Sequence, residues 1–134
     1  PLREVASGGE LSRIMLAIKA VMADKDAVET LIFDEIDTGI SGRTAQKVSE
    51  KMAVIARNHQ VLCITHLAQI AAMADRHYII EKKPANSKTV TNIGLLDTDE
   101  SIRELARILG GAKITETVLE SAREMKELAA RAKE

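Results

Sequence analysis

The chain opens with a helical rhythm. Leu11, Ile14, Met15, Ile18, Val21 and Met22 recur at helical spacings, which predicts an amphipathic helix starting just after Ser7-Gly8-Gly9-Glu10. Residues 30–34 are mostly apolar but too few for a helix, so they read as a buried strand. A second helix is predicted over 42–57, with Ala45, Val48, Met52 and Ile55 on one face. Residues 60–65 make a second apolar run, whose continuous hydrophobicity suits a parallel sheet covered on both faces. A short helix over 67–74 and a third strand over 77–81 follow. Pro84-Ala85-Asn86-Ser87 reads as a turn, and 89–95 as a hairpin partner despite its poor alternation. Ile102, Leu105, Ala106 and Leu109 define another helix, stopped by Gly110-Gly111. The last helix starts near Thr115, with Ile114 and Leu119 spaced for a hydrophobic staple and Val118, Ala122, Met125 and Ala129 inward. Strand–helix alternation over 30–82 implies an α/β fold with a parallel sheet flanked by helices. No repeat or linker divides residues 1–134, so a single domain is expected.

Composition changes this picture in three places. Hydrophobic residues make up 46% of 134, which argues against disorder, yet Phe33 and Tyr78 are the only aromatics. The core must then be aliphatic. Lys plus Arg is 19 and Asp plus Glu is 20, so no charge excess marks a nucleic-acid surface. The single Cys63 lies in Val61-Leu62-Cys63-Ile64 and reads as a buried small hydrophobe, not part of a disulfide framework. One Cys and three scattered His lack zinc-ligand spacing, and no Ser-His-Asp arrangement can be argued. With no 18-residue apolar span and no signal-like start, a soluble cytoplasmic protein without membrane contact is expected. The opening at Pro1 points to a piece of something longer.

Three short segments carry candidate chemistry, and each has a plain reading beside the chemical one. Ser7-Gly8-Gly9-Glu10 has the spacing of a capping box. Two glycines inside it are anomalous, since each costs roughly 1 kcal/mol of helix propensity. They make sense where backbone N–H groups must approach a phosphate at a positive helix end. Asp34 and Glu35 close the first strand. They are either a solvated strand end or a pair in which Asp34 holds Mg²⁺ through water while Glu35 orients or deprotonates a water. Ile36-Asp37-Thr38-Gly39-Ile40-Ser41-Gly42 reads as a strand-to-helix turn with Ser41 as N-cap. His66 ends the second strand, while His59 and His77 read as structural.

Taken in order, these segments resemble the second half of an ATP-binding-cassette ATPase head, as found in chromosome-maintenance and repair ATPases. Ser7-Gly8-Gly9-Glu10-Leu11-Ser12-Arg13 resembles the signature motif, Leu31-Ile32-Phe33-Asp34-Glu35 the Walker B motif, and His66 the switch histidine. Structural chromosome-maintenance proteins usually differ after the Walker B pair. Here Asp37-Thr38-Gly39-Ile40-Ser41-Gly42 is similar to the RecN family of bacterial recombination and repair proteins. The runs from Val5 to Arg13 and from Cys63 to Ala71 agree with it. Thr30, usually apolar in the motif, and Ala68, more often Pro, are departures. No Gly-x-x-x-x-Gly-Lys-Ser/Thr loop occurs in these residues.

The resemblance implies the C-terminal lobe of a P-loop NTPase head that lacks the phosphate-gripping half. It implies ATP and Mg²⁺ as cofactors, with Asp34 toward the metal and Glu35 and His66 in catalysis. Ser7, Gly8, Gly9 and Glu10 would meet the nucleotide of the opposite head, and Asp37, Ser41 and Gly42 would lie in the loop at the dimer interface. The implied partners are the N-terminal half of the same head, a second head in a homodimer, and DNA through the full-length protein. The implied setting is double-strand break repair at the bacterial nucleoid. A non-catalytic dimerisation module and a transporter nucleotide-binding domain are the alternatives. In the resembled fold, the strand carrying the phosphate loop separates the strands at 60–65 and 77–82. Without that strand, three outcomes are expected: direct pairing of the two, pairing supplied by another copy, or disorder over 77–95. The strands at 30–34 and 60–65 should stay parallel neighbours throughout.

Overall fold

The computed structural model describes residues 6–22, 28–85 and 88–134. Helix α1 spans Gly8–Met22, strand β1 Thr30–Phe33, helix α2 Gly42–Ile55, strand β2 Gln60–Cys63 and helix α3 Ala68–Ala72. Strands β3 (Tyr78–Ala85) and β4 (Lys88–Leu95) precede helices α4 (Thr98–Gly110) and α5 (Glu116–Arg131). The result is a mixed α/β fold with a small parallel sheet and helices.

β1 and β2 run parallel and in register from Thr30 opposite Gln60 to Phe33 opposite Cys63. This is the expected neighbour pair. The direct pairing of β2 with β3 does not form, and Tyr78–Ala85 and Lys88–Leu95 are strands. β3 instead pairs antiparallel with β4 along its whole length, from Tyr78 opposite Leu95 to Ala85 opposite Lys88. A local hairpin satisfies one edge of β3 at little loop-closure cost. Residues 86–87 of the expected turn, and Val5 of the signature-like run, lie outside the described residues.

Two apolar clusters hold these elements. Leu16, Leu31, Phe33, Ile36, Val48, Met52, Ile55 and Ile70 join α1, β1, α2 and α3. Ala68, Ala71, Ala72, Met73, Ile102, Leu105, Ala106, Ala122 and Ala129 join α3, α4 and α5. Helix α3 belongs to both and couples them. The inward face predicted for α2 is the one buried. Ala122 and Ala129 are buried on α5, and Ile102, Leu105 and Ala106 on α4, whereas Leu109 is exposed. Asp97 and Glu100 form a full capping box at the start of α4, and Thr115 caps α5.

Two expectations of burial are corrected. The stripe Ile14, Met15, Ile18, Val21 and Met22 on α1 is exposed, and the helix buries Gly9 and Leu16 instead. The sheet is covered on one face only. Leu31 and Phe33 point into the core, while Ile32 on β1 and Leu62 on β2, opposite each other in register, are 68% and 47% exposed. Nothing among the described residues packs over that second face, which is why an apolar run that reads as doubly covered is half open.

At the other end of the fold, Lys126 of α5 donates to the carbonyls of Ala72 and Ala74 at 3.2 and 3.0 Å, tying α5 to the end of α3. His77 Nδ1 lies 2.8 Å from the hydroxyl of buried Ser101. Burial, then the charge of Lys126, push the His77 pKa down against the opposing pull of Glu104. A histidine that resists protonation when folded takes up its proton more readily unfolded. Its contribution is therefore intact above the ordinary value of 6.5 and is lost as pH falls below it. The urea midpoint should drop between pH 7.5 and 5.5, and drop less in His77→Gln.

Candidate functional site

Because β1 and β2 are parallel, the chain leaves both at the same end. Ile64 N–H donates to the carbonyl of Phe33 at 3.0 Å, carrying the pairing one step past the strands. Beyond that point lie Asp34-Glu35-Ile36-Asp37 on one side and Thr65-His66 on the other. The start of α1 meets the same loops. Ligands of open α/β sheets characteristically bind outside the carboxyl ends of the strands.

The α1 start is a working capping box. Ser7 N–H and Ser7 hydroxyl donate to Glu10 Oε2 at 2.8 and 2.9 Å, and Glu10 N–H donates to Ser7 Oγ at 3.3 Å. The Ser7 backbone bond, then its hydroxyl, hold the Glu10 pKa below its ordinary value, with help from Arg13 and against slight desolvation. The helix begins at Gly8, earlier than its apolar rhythm suggests, so both glycines sit in the first turn. The fold supplies a local reason for them. A Cβ on Gly9 would stand 2.6 Å from the Glu35 carbonyl oxygen and 3.0 Å from Thr38 Cβ, and one on Gly8 would stand 2.6 Å from Glu35 Oε2. The 34–38 loop thus crosses directly over the helix start.

Two side chains lock that crossing, and sequence reasoning gave neither a role. Ser12 Oγ donates to the Asp34 carbonyl at 2.9 Å. Arg13 Nη1 donates to the carbonyls of Ile36 and Thr38 at 3.0 and 2.9 Å. Their signal in the sequence is position: both lie on the first turns of α1, on the side of the glycines.

Asp34 and Glu35 are exposed. Asp34 Oδ1 accepts the Glu35 N–H at 2.9 Å, which fixes the carboxylate. Its other oxygen is a hard donor suited to Mg²⁺, which is typically held by one or two carboxylates plus water and phosphate oxygens. Among the described residues no three His, Cys, Asp or Glu side chains form a metal cage, so Asp34 would serve as one ligand of several. Glu35 takes φ 57, the one positive φ of a non-glycine among the described residues. That left-handed conformation turns its side chain away from the line of Asp34 and toward α1.

Asp37 is buried at 3% exposure, and three donors converge on its Oδ2: Thr65 hydroxyl at 2.6 Å, His66 N–H at 2.8 Å and His66 Nδ1 at 3.0 Å. Burial works to raise the Asp37 pKa, but the bonds from Thr65 and His66 and the charge on His66 outweigh it and leave it lowered. The His66 side chain remains 74% exposed. Ser41 and Gly42, further along the loop, are exposed. Ser41 occupies the N-cap of α2 without a capping bond from its hydroxyl, and Gly42 takes φ 51. Cys63 is pushed up to about 12 by burial and by Asp37 and Asp34, so its thiol stays protonated.

Known proteins match this chain along nearly its whole length. DNA repair protein RecN of Halalkalibacterium halodurans is 48% identical over 129 residues, 96% of this chain. The RecN of Bacillus subtilis is 46% identical over 124 residues, and that of Deinococcus radiodurans 49% over 126. By sequence, this chain is a stretch of the RecN family. It spans under a quarter of these RecN relatives, 23% of the first and 22% of the other two. Comparison with protein-family models finds no match. No helix among the described residues is long and apolar enough to cross a membrane.

Proposed function

We propose that this segment is the C-terminal lobe of a P-loop, ATP-binding-cassette type head in a RecN-like protein of DNA double-strand break repair and recombination, acting in the bacterial cytoplasm at the nucleoid. One observation supports this above others: the capped glycine helix start, the Asp34-Glu35 pair and the anchored His66 meet at one end of two parallel strands. The order of the three segments along the chain is that of the resembled heads.

In this reading Ser7, Gly8, Gly9 and Glu10 present the positive end of α1 to the γ-phosphate of ATP held by a second head. Asp34 contributes an oxygen to Mg²⁺, which when bound neutralises phosphate charge. Glu35 aligns a water and takes its proton, and His66 faces the phosphate and that water. Ser41 and Gly42 lie on the exposed part of the loop facing the other head. The N-terminal half of the head supplies the phosphate loop, and DNA is engaged by the full-length protein.

A Ser7→Arg substitution in the full-length protein tests the signature assignment. It places a bulky cation where a phosphate must approach and removes the cap, which is worth about 1 kcal/mol. Sedimentation with ATP and Mg²⁺ should show wild-type head dimers and a monomeric variant. Normal ATP-dependent dimerisation by a folded Ser7→Arg variant would sink the assignment.

A further inference from the structure

We propose that Asp37 is a positioning residue for His66, holding its imidazole as the Nδ1–H tautomer with Nε2 free to face solvent and ligand. The inference rests on the functional reading above for its consequence, but its structural content stands on the coordinates. His66 is three-quarters exposed, yet its ring is not at liberty. Nδ1 lies 3.0 Å from a carboxylate oxygen that is itself buried. That oxygen also receives the backbone N–H of His66 and the hydroxyl of Thr65, while Thr65 Oγ accepts the N–H of Leu67 at 3.1 Å. One carboxylate therefore fixes the ring, the backbone that bears it and the residue before it.

The chemistry follows from which ring nitrogen can donate. A carboxylate is acceptor-only, so a neutral His66 must carry its proton on Nδ1 to satisfy this contact. Nε2 is then an acceptor, and a donor only when the ring is protonated. An unanchored histidine favours the opposite tautomer in solution. This arrangement presents a phosphate or a water with a ring of fixed tilt and known proton position, the kind of role a buried carboxylate plays toward a catalytic histidine elsewhere. Asp37 would touch neither substrate nor metal. It would act through His66, from the inner face of a loop whose exposed part carries Ser41 and Gly42.

The first test needs no substitution. In ¹⁵N-labelled protein at a pH above the His66 titration, ring-nitrogen shifts should show a protonated Nδ1 and a bare Nε2. A wild-type His66 in the Nε2–H form overturns the proposal outright. Asp37→Ala, which removes the acceptor, should return the ring toward the Nε2–H form. Retention of the Nδ1–H form in a folded Asp37→Ala protein also overturns it. In full-length protein, Asp37→Ala should lower kcat for ATP by about 10–100-fold, the range typical of losing a histidine's orienting partner, with little change in KM. A double variant with His66→Ala should be no worse than His66→Ala alone. Full turnover in Asp37→Ala beside a dead His66→Ala overturns the positioning role. Full turnover in His66→Ala instead removes the ATPase reading of His66 while leaving the tautomer result untouched.

Discussion

The purified 134-residue chain should hydrolyse no ATP above background, although it carries Asp34, Glu35 and His66. Its sequence has no phosphate-binding loop and no lysine placed to hold the β- and γ-phosphates, and phosphoryl transfer depends almost wholly on such positioning. The longer protein should show Mg²⁺-dependent turnover. Glu35→Gln in that protein should cut kcat by about 10²–10⁴, the usual yield of a general base, while leaving ATP binding intact. Glutamine can still occupy the place of Glu35 but cannot take a proton. ATP-bound head dimers should then accumulate, visible as a stable dimer by sedimentation. Hydrolysis by the short chain, abolished by Glu35→Gln, would show that this segment holds a complete site and would refute the division proposed here. Undiminished turnover by the full-length Glu35→Gln protein would remove Glu35 from catalysis.

The two glycines at the start of α1 should respond oppositely to alanine. On propensity alone, either Gly→Ala change in a helix gains about 1 kcal/mol. At Gly8 the new methyl meets only the end of the Glu35 side chain, which can swing away, so the gain should survive. At Gly9 it meets the Glu35 carbonyl oxygen at 2.6 Å, with Thr38 Cβ and Arg13 Nη1 close behind. Backbone cannot swing. Overpacking of this kind costs about 1–3 kcal/mol, so Gly9→Ala should be net destabilising and should displace the loop that carries Asp34 and Glu35. Urea midpoints of the two variants check the sign at each position. A Gly9→Ala protein as stable as Gly8→Ala would mean the loop does not cross the helix as described.

What the sequence made legible was what depends on near neighbours. The face of α2, the cap at Thr115 and the parallel run of 30–34 beside 60–65 follow from periodicity and local chemistry. The buried side of α1 did not. That helix has an apolar stripe through Ile14, Met15 and Ile18, but its contacts are made through Gly9 and Leu16. Periodicity reveals that a face is apolar, not whether anything covers it. The partner of β3 was read correctly as the segment before residue 95, while direct pairing with β2, one of three outcomes expected, does not form, because hairpin closure is local and that pairing is not.

The site divides along the same line. Asp34, Glu35 and His66 stand out as polar residues at the ends of apolar runs. The role of Asp37 was hidden, since Thr65 and His66 lie 28 and 29 residues further on and a loop aspartate reads as solvated. The glycine cradle was hidden for a similar reason, as it depends on where the Glu35 backbone travels.

Residue 35 is where the fold and the chemistry ask for different amino acids. Its φ of 57 is comfortable for glycine and tolerable for asparagine, whereas a glutamate held there stores roughly 1–3 kcal/mol. Selection for stability alone would draw this position toward glycine. If Glu35 is the base proposed above, a glutamate there trades stability for activity, and stabilising this domain by consensus or design would have to leave that residue alone.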